Sequence, residues 1–185
     1  MAKLLFIKPS EVTSNTILSG NIDVDKLVPC IDQAQITTIE PLLGTELYVK
    51  LVEDMTAYIL NQNGDKLVLQ DGSYLYTNGV GLTGLYDILF KDFVKPILKF
   101  QAVAEYIEIG NYFVDNAGIY KNAPDKKTIA DKNEVIDLSS KYRHLAQAHV
   151  ARFEKWILQN QLPEYKTHQD RVNAIQIKNN FGWHL

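Results

Sequence analysis

Three features of this sequence have residue types and spacing that chemistry uses: a glycine-rich loop, four histidines and a single cysteine. The segment Gly79-Val80-Gly81-Leu82-Thr83-Gly84 matches the spacing G-x-G-x-x-G, in which glycines let backbone N–H groups approach a pyrophosphate at the start of a helix. The context argues against a dinucleotide site, because the preceding segment has the pattern of a hairpin strand and Glu105 and Glu108, about twenty residues on, fall inside a predicted helix. We interpret the loop as a flexible exit from the hairpin. A small cytoplasmic helical nucleotide-binding protein or enzyme that uses Gly79 to Gly84 is kept as the alternative function.

The histidines and the cysteine do not form a metal site. His144 and His149 are separated by about 140° around a helix, so they do not face one ligand. Cys30 alone makes neither an internal disulfide nor a zinc cluster, and we expect it to be a small buried side chain. His149 lies on a predicted apolar stripe, which favours a core or interface position. The sequence therefore predicts no catalytic residue, no metal ligand and no cofactor, and we expect a protein that is not an enzyme.

Composition places the chain among ordinary globular domains. It has 185 residues, of which 46% are hydrophobic and 22% are charged, and no apolar run approaches the ~20 residues that a membrane span needs. A further possible function is a helical DNA-binding regulator. The net charge of −3 argues against it, because dedicated DNA-binding proteins are usually basic. Charge is uneven: residues 21–60 contain seven acids against two lysines, whereas residues 119–133 contain four lysines against two acids. These segments predict complementary surfaces on neighbouring copies, although two solvated faces are the simpler interpretation.

The apolar periodicity predicts a mainly α fold, a compact bundle of about four helices, over residues 25–40, 46–62, 83–115 and 134–159. A short extended segment at residues 4–7 and a helical turn at 10–13 precede them. We expect Pro41 to end the first helix, Thr45 to cap the second and Pro96 to kink the third near residue 92. The third helix is apolar almost all round and is therefore predicted to be central.

Three segments outside these helices are candidates for contacts with partners. Residues 66–76 contain two β-prone runs around Asp71-Gly72 and predict a protruding β-hairpin. Residues 116–133 predict a long polar loop. Residues 160–185 predict a polar C-terminal arm that lies on a neighbour or packs back on the helical domain, residues 1–159. The side chains that we expect to make contacts are Asp71, Gly72, Tyr74, Tyr76, Lys121, Lys126, Lys127, Tyr165, Phe181 and Trp183.

The first third of the chain carries a recognisable pattern, Asp23-x-Asp25-x-Leu27-x-x-x-Ile31-x-x-Ala34-Gln35 followed by Ile39-x-x-x-Leu43-Gly44-x-x-Leu47-Tyr48. It resembles the head–tail connector proteins of tailed bacteriophages, the adaptor or head-completion family that docks under the portal. Leu162-Pro163-Glu164-Tyr165 is similar to ring or neck proteins of phages of Bacteroides-type hosts, including the crAss-like group. The clear match covers about residues 4–60, and the helix order extends it to about 159. The hairpin and the aromatic tail depart from the family pattern.

The resemblance implies a structural virion protein with a small helical core and no catalytic site. Such proteins form rings of about twelve copies in the neck beneath the portal, joining capsid to tail around the DNA channel. The implied partners are other copies of the chain, the portal protein and adjacent neck or tail rings. Double-stranded DNA passes through without sequence-specific binding, and no membrane is involved. The implied location is the head–tail junction of the virion, after assembly in the host cytoplasm.

Overall fold

The computed structural model describes residues 3–18, 22–63, 74–77, 79–110, 112–115, 118–121 and 131–166. Within these residues the chain is mainly helical, which confirms the predicted fold class. The elements are β1 (Lys3–Leu5), α1 (Pro9–Thr13), α2 (Val24–Ala34), a first π turn (Gln35–Ile39), α3 (Glu40–Leu43), α4 (Thr45–Asn63), β2 (Tyr74–Tyr76), α5 (Leu85–Leu89), a second π turn (Phe90–Val94), α6 (Lys95–Ile109), β3 (Tyr112–Asp115), β4 (Gly118–Lys121) and α7 (Lys132–Gln159).

The first long helical segment continues through Pro41, so the prediction that this proline ends it is wrong. The first π turn separates α2 from α3, and the N–H of Glu40 donates to the carbonyl of Gln35, five residues back. Pro41 therefore occupies one of the first positions of a renewed α-helix, where a missing N–H costs little. The segment ends instead at Gly44, whose φ of 79° is accessible to glycine. Thr45 is the first residue of α4, so Gly44 occupies the cap position that was predicted for Thr45.

The same arrangement recurs in the third helical segment. The second π turn interrupts the regular α-helix at Phe90–Val94, the region where a kink was predicted. Pro96 again lies two residues after the π turn, at the start of α6. In both helical segments, a π turn is followed two residues later by a proline at the start of a new α-helix.

Three predicted boundaries need correction. The third helix ends at Ile109, and Tyr112–Asp115 forms a strand because its β-branched and aromatic side chains suit a pleated ribbon. This strand pairs antiparallel with β4, which occupies part of the predicted polar loop at 116–133. The strand Tyr74–Tyr76, predicted as part of a protruding hairpin, pairs in parallel with β1 and packs on the core, so this part of the predicted hairpin does not protrude. Leu75, in the middle of this strand, is buried in the core. Residues 64–73, with the rest of the predicted hairpin, lie outside the described residues.

The core forms around α6, as its apolar sequence predicted. This helix packs against α1, α2 and α7. The predicted stripe of α4 is buried as expected, at Leu47, Leu51, Met55 and Ile59. The last long helix, α7, begins with a capping box in which the Asp131 carboxylate accepts the Glu134 N–H at 2.9 Å and the Glu134 carboxylate accepts the Asp131 N–H at 2.9 Å. No helix within the described residues is long and apolar enough to span a membrane.

Candidate interaction surfaces

The residues that carry the resemblance form one packed unit in the structure. The Asp23 carboxylate caps α2 by accepting the Asp25 N–H at 3.1 Å. The apolar members of the pattern are buried on the inner faces of α2, α3 and α4: Leu27, Ile31, Ala34, Ile39, Leu43 and Leu47. The pattern therefore defines a helix, a corner and a second helix that pack against each other, with no reactive group among its buried members.

Gln35, a member of this pattern, has a role that spacing alone did not predict. Its side chain is fully buried, and its amide oxygen accepts the N–H of Phe6 at 2.9 Å. Its amide nitrogen donates to the carbonyl of Leu4 at 2.9 Å and to the hydroxyl of Tyr48 at 2.8 Å. On the other edge of this segment the Leu5 carbonyl accepts from Thr77. The Gln35 amide thus acts as a substitute strand that satisfies the free edge beside β1.

Few of the predicted contact residues have described side chains. Asp71, Gly72, Lys126, Lys127, Phe181 and Trp183 lie outside the described residues. Only the backbone is described at Tyr74, in β2, and at Lys121, opposite Tyr112 in the β3–β4 ribbon. Tyr76 is half-buried and packs against the core. The role of these residues in contacts with partners stays a prediction.

Tyr165 belongs to a short segment that follows α7 and packs back on the chain's own core. Leu162 is buried, and the ring of Tyr165 meets the ring of Phe153 edge to face at 5.7 Å. The hydroxyl of Tyr86 donates to the Glu164 carboxylate at 2.7 Å, and this hydrogen bond raises the pKa of Tyr86 to about 12. The C-terminal arm was predicted either to lie on a neighbouring subunit or to pack on its own domain. Its described residues, 160–166, pack on their own domain.

The acidic segment is largely on the surface. Asp23, Asp25, Glu46 and Glu53 are exposed. Several acids already have a cation from their own chain: Lys50 contacts Asp54 at 2.6 Å, and Lys166 pairs with Glu46. Because of these pairs, the surface is less negative than the count of acids suggests.

An ion-pair network fixes α7 to α6. Arg143 donates to Glu108 at 2.6 Å and lies 3.6 Å from Glu105, while the buried hydroxyl of Ser139 donates to Glu108 at 2.6 Å. The hydrogen bonds from Arg143 and Ser139 hold the pKa of Glu108 below its usual range. Glu105 and Glu108 are the acids that lie about twenty residues after the glycine loop, where a dinucleotide site would place its ribose ligand. In this structure they have a structural role in helix packing instead.

Close packing explains two of the three glycines of the G-x-G-x-x-G loop. A Cβ on Gly79 would lie 2.6 Å from the ring of Phe90, and a Cβ on Gly81 would lie 2.6 Å from the Cβ of Tyr58. Gly79, Gly81 and Gly84 all have positive φ. The N–H of Gly79 also donates to the hydroxyl of Thr77. The close approaches are thus to other side chains of this protein.

Cys30 has the buried position that the sequence favoured, whereas His149 is half-buried. Cys30 is 2% exposed, and burial raises the pKa of its thiol to about 11. The ring of His149 stacks on Phe100 with centroids 5.5 Å apart. Burial, with a smaller contribution from Arg152, lowers the pKa of His149. Among the described residues, no group of three or more His, Cys, Asp or Glu side chains is arranged to hold a metal ion.

Two apolar grooves lie near the two ends of α7. The first, of about 430 Å³, is named here the N-terminal groove and is lined by Ile17, Leu18, Tyr106, Ile107, Gly110, Glu134, Val135 and Leu138. The second, of about 440 Å³, is the C-terminal groove and is lined by Ile157, Leu158, Gln161, Leu162, Pro163 and Tyr165. Leu158 is 72% exposed, an unusual position for a leucine. Val135 of the first groove and Ile157 of the second are 22 residues apart in the helix, which separates the two grooves by ~30 Å.

A third concavity, named here the lysine cleft, lies between α1, the α5–α6 segment and α7. It has a volume of about 620 Å³ and is lined by Ile7, Ser10, Glu11, Ser14, Lys91, Lys95, Pro96, Lys99, Phe100 and His149. The sequence interpretation did not select its lysines. Their spacing at i, i+4 and i+8 was the available signal, because such residues share one helix face.

The fold and these surfaces define a class: a mainly helical domain with a buried helical hub and concave surfaces at several places on the described chain. Comparison with protein families is more specific. The model of a family of unknown function, DUF6712, matches residues 39–174, well over half of the chain, and the chain belongs to that family. The comparisons with curated proteins and with solved structures return no match.

Proposed function

We propose that this protein is a structural subunit of the head–tail connector of a tailed bacteriophage, forming a ring beneath the portal that joins capsid to tail around the DNA channel. The observation that carries the proposal is the pair of apolar grooves near opposite ends of α7. A closed ring needs two different surfaces on each subunit, because every copy contacts its two neighbours through unlike patches. Grooves separated by ~30 Å along one rigid helix meet that requirement.

The pattern around the Leu43-Gly44 corner supports the same proposal. It resembles the connector family, and its buried residues form one unit of helix packing. A subunit of this kind works through geometry and contact area. Each contact between copies can be weak, because closing the ring makes the later contacts effectively intramolecular.

The test measures assembly. The full chain is examined by light scattering and electron microscopy over a wide concentration range, alone and mixed with a phage portal protein. We expect closed rings of uniform size, about twelve copies by the resemblance. Leu158→Asp should abolish rings, because an aspartate cannot be buried in an apolar contact without a partner. Ala148→Asp, at an exposed position of the same helix, is the matched control and should leave assembly unchanged.

Two outcomes would count against this reasoning in different ways. A chain that stays monomeric at every concentration and does not bind the portal would overturn the connector function. Rings that form equally well with Leu158→Asp would retain the function and exclude the C-terminal groove as the contact between copies.

A further inference from the structure

The lysine cleft concentrates positive charge on a protein whose net charge is −3. Three lysines line it against a single glutamate. Lys95 contacts Glu11 at 2.5 Å, and Lys91 contacts Asp87 on its own helical segment at 2.8 Å. With Glu11 and Asp87 counted against the three lysines, the set retains a surplus of about one positive charge.

Lys99 is the member of the set with the least compensation. Its ammonium group donates to the backbone carbonyl of Ser14, and the hydrogen bonds and salt bridges found for it include no carboxylate. Burial lowers the pKa of Lys99, and Lys95 adds to this effect, while Glu11 acts in the opposite direction. An anion placed in the cleft would restore the interactions that the ammonium loses on burial.

The rest of the lining matches a small anionic molecule with an apolar part. Ile7, Pro96 and Phe100 provide apolar surface, and Ser10 and Ser14 provide hydroxyl donors at the margin. The volume of about 620 Å³ is within the range of small-molecule sites. The stacked rings of Phe100 and His149 give one wall a fixed orientation.

We propose that the lysine cleft binds a small phosphorylated molecule, with its phosphate among Lys91, Lys95 and Lys99 and its organic part against Phe100. A phosphate is favoured over a carboxylate because its several oxygens can face all three ammonium groups of the cleft at once. Lysine binds phosphate as a point charge, whereas carboxylates are better matched by the paired donors of arginine. The concave shape favours a small molecule over duplex DNA. This proposal is independent of the connector function.

The test uses inorganic phosphate, pyrophosphate and a nucleoside monophosphate as probes, at constant ionic strength with chloride as the reference anion. Binding is followed by calorimetry and by the NMR resonance of the His149 ring. We expect saturable binding and a shift of the His149 resonance. The double variant Lys91→Met, Lys99→Met keeps the Lys95–Glu11 pair and should weaken binding at least about tenfold. The matched control, Lys141→Met with Lys155→Met, removes the same charge from exposed positions of α7.

Each result decides the proposal. Saturable binding that the cleft variant weakens and the control variant retains supports it, and tighter binding of the nucleoside monophosphate than of inorganic phosphate supports the role of Phe100. Absence of saturable binding by all three probes overturns the proposal. Equal weakening by both double variants also overturns it, because binding would then depend on overall charge. Saturation by a duplex oligonucleotide together with none of the small probes would assign the cleft to DNA instead.

Discussion

Replacing Gln35 by leucine should destabilise the protein strongly, because it removes three hydrogen bonds of a buried amide. The Gln35 amide satisfies the N–H of Phe6, the carbonyl of Leu4 and the hydroxyl of Tyr48 at distances of 2.8–2.9 Å. Leucine has a similar volume, so little cavity forms. It leaves two buried backbone groups without partners, and each such group costs about 1–3 kcal/mol.

The expected magnitude follows from these contributions. Two unsatisfied groups cost about 2–6 kcal/mol, and the greater hydrophobicity of leucine offsets part of this, so we expect a net loss of about 2–4 kcal/mol in the free energy of unfolding. That is a large fraction of the about 5–15 kcal/mol that stabilises a typical domain. Urea titration followed by circular dichroism measures it. Gln33→Leu, the same exchange at an exposed position of α2, should change stability by about 0.5 kcal/mol or less.

A second variant separates hydrogen bonding from packing. Gln35→Glu keeps the shape, but its carboxylate cannot donate to the Leu4 carbonyl. Burial raises the folded-state pKa of such a group above its unfolded value, so the variant is most stable at low pH and loses stability as the pH rises through the raised pKa. Equal stabilities for Gln35→Leu and Gln33→Leu, or a Gln35→Glu variant whose deficit relative to the unmodified chain is independent of pH, would refute the role of the amide.

Other expected outcomes follow from single contacts. Gly79→Ala should cost about 2–4 kcal/mol in urea titration, because it combines a positive φ with a 2.6 Å clash, whereas Gly84→Ala, which meets open space, should cost about 1 kcal/mol. Glu108→Gln should be destabilising at neutral pH. Because the folded-state pKa of Glu108 is lowered below 4.5, this deficit should shrink as the pH falls from about 4.5 through the lowered pKa, and a pH-independent deficit would contradict the ion pair with Arg143. Cys30, with a pKa of about 11 and 2% exposure, should react with a thiol reagent at pH 8 only as fast as the chain opens, and reaction at the rate of a free thiol would contradict its burial.

The sequence was sufficient where side chains repeat with the period of a helix. The stripe Leu47, Leu51, Met55 and Ile59 predicted α4, and it is buried. The start of α7 differs by only two residues from the prediction, because periodicity specifies the interior of a helix better than its first turn. The mainly α class follows from these local patterns, since each needs information from only a few neighbouring residues.

The sequence was insufficient where the outcome depends on residues far apart in the chain. The parallel pairing of Tyr74–Tyr76 with Lys3–Leu5 joins segments about seventy residues apart, and no local pattern specifies that partner. Pro41 has the local chemistry of a helix end, yet the preceding π turn allows the helix to continue. For the candidate surfaces, the sequence shows that the three lysines share one helix face. Only the packing of α1 and α7 against α6 places that face in a cleft.

Local periodicity and residue type alone determined the interiors of the long helices, the central position of α6 and the buried state of Cys30, because burial of an apolar face is encoded residue by residue. Tertiary structure alone decided that Gln35 completes the edge beside β1, that the glycine loop accommodates Phe90 and Tyr58, and that Tyr165 turns back onto Phe153. The physical reason is the same in each case. A hydrogen bond or a close contact across the fold depends on where two distant segments meet, and that position is set by the packing of the whole core.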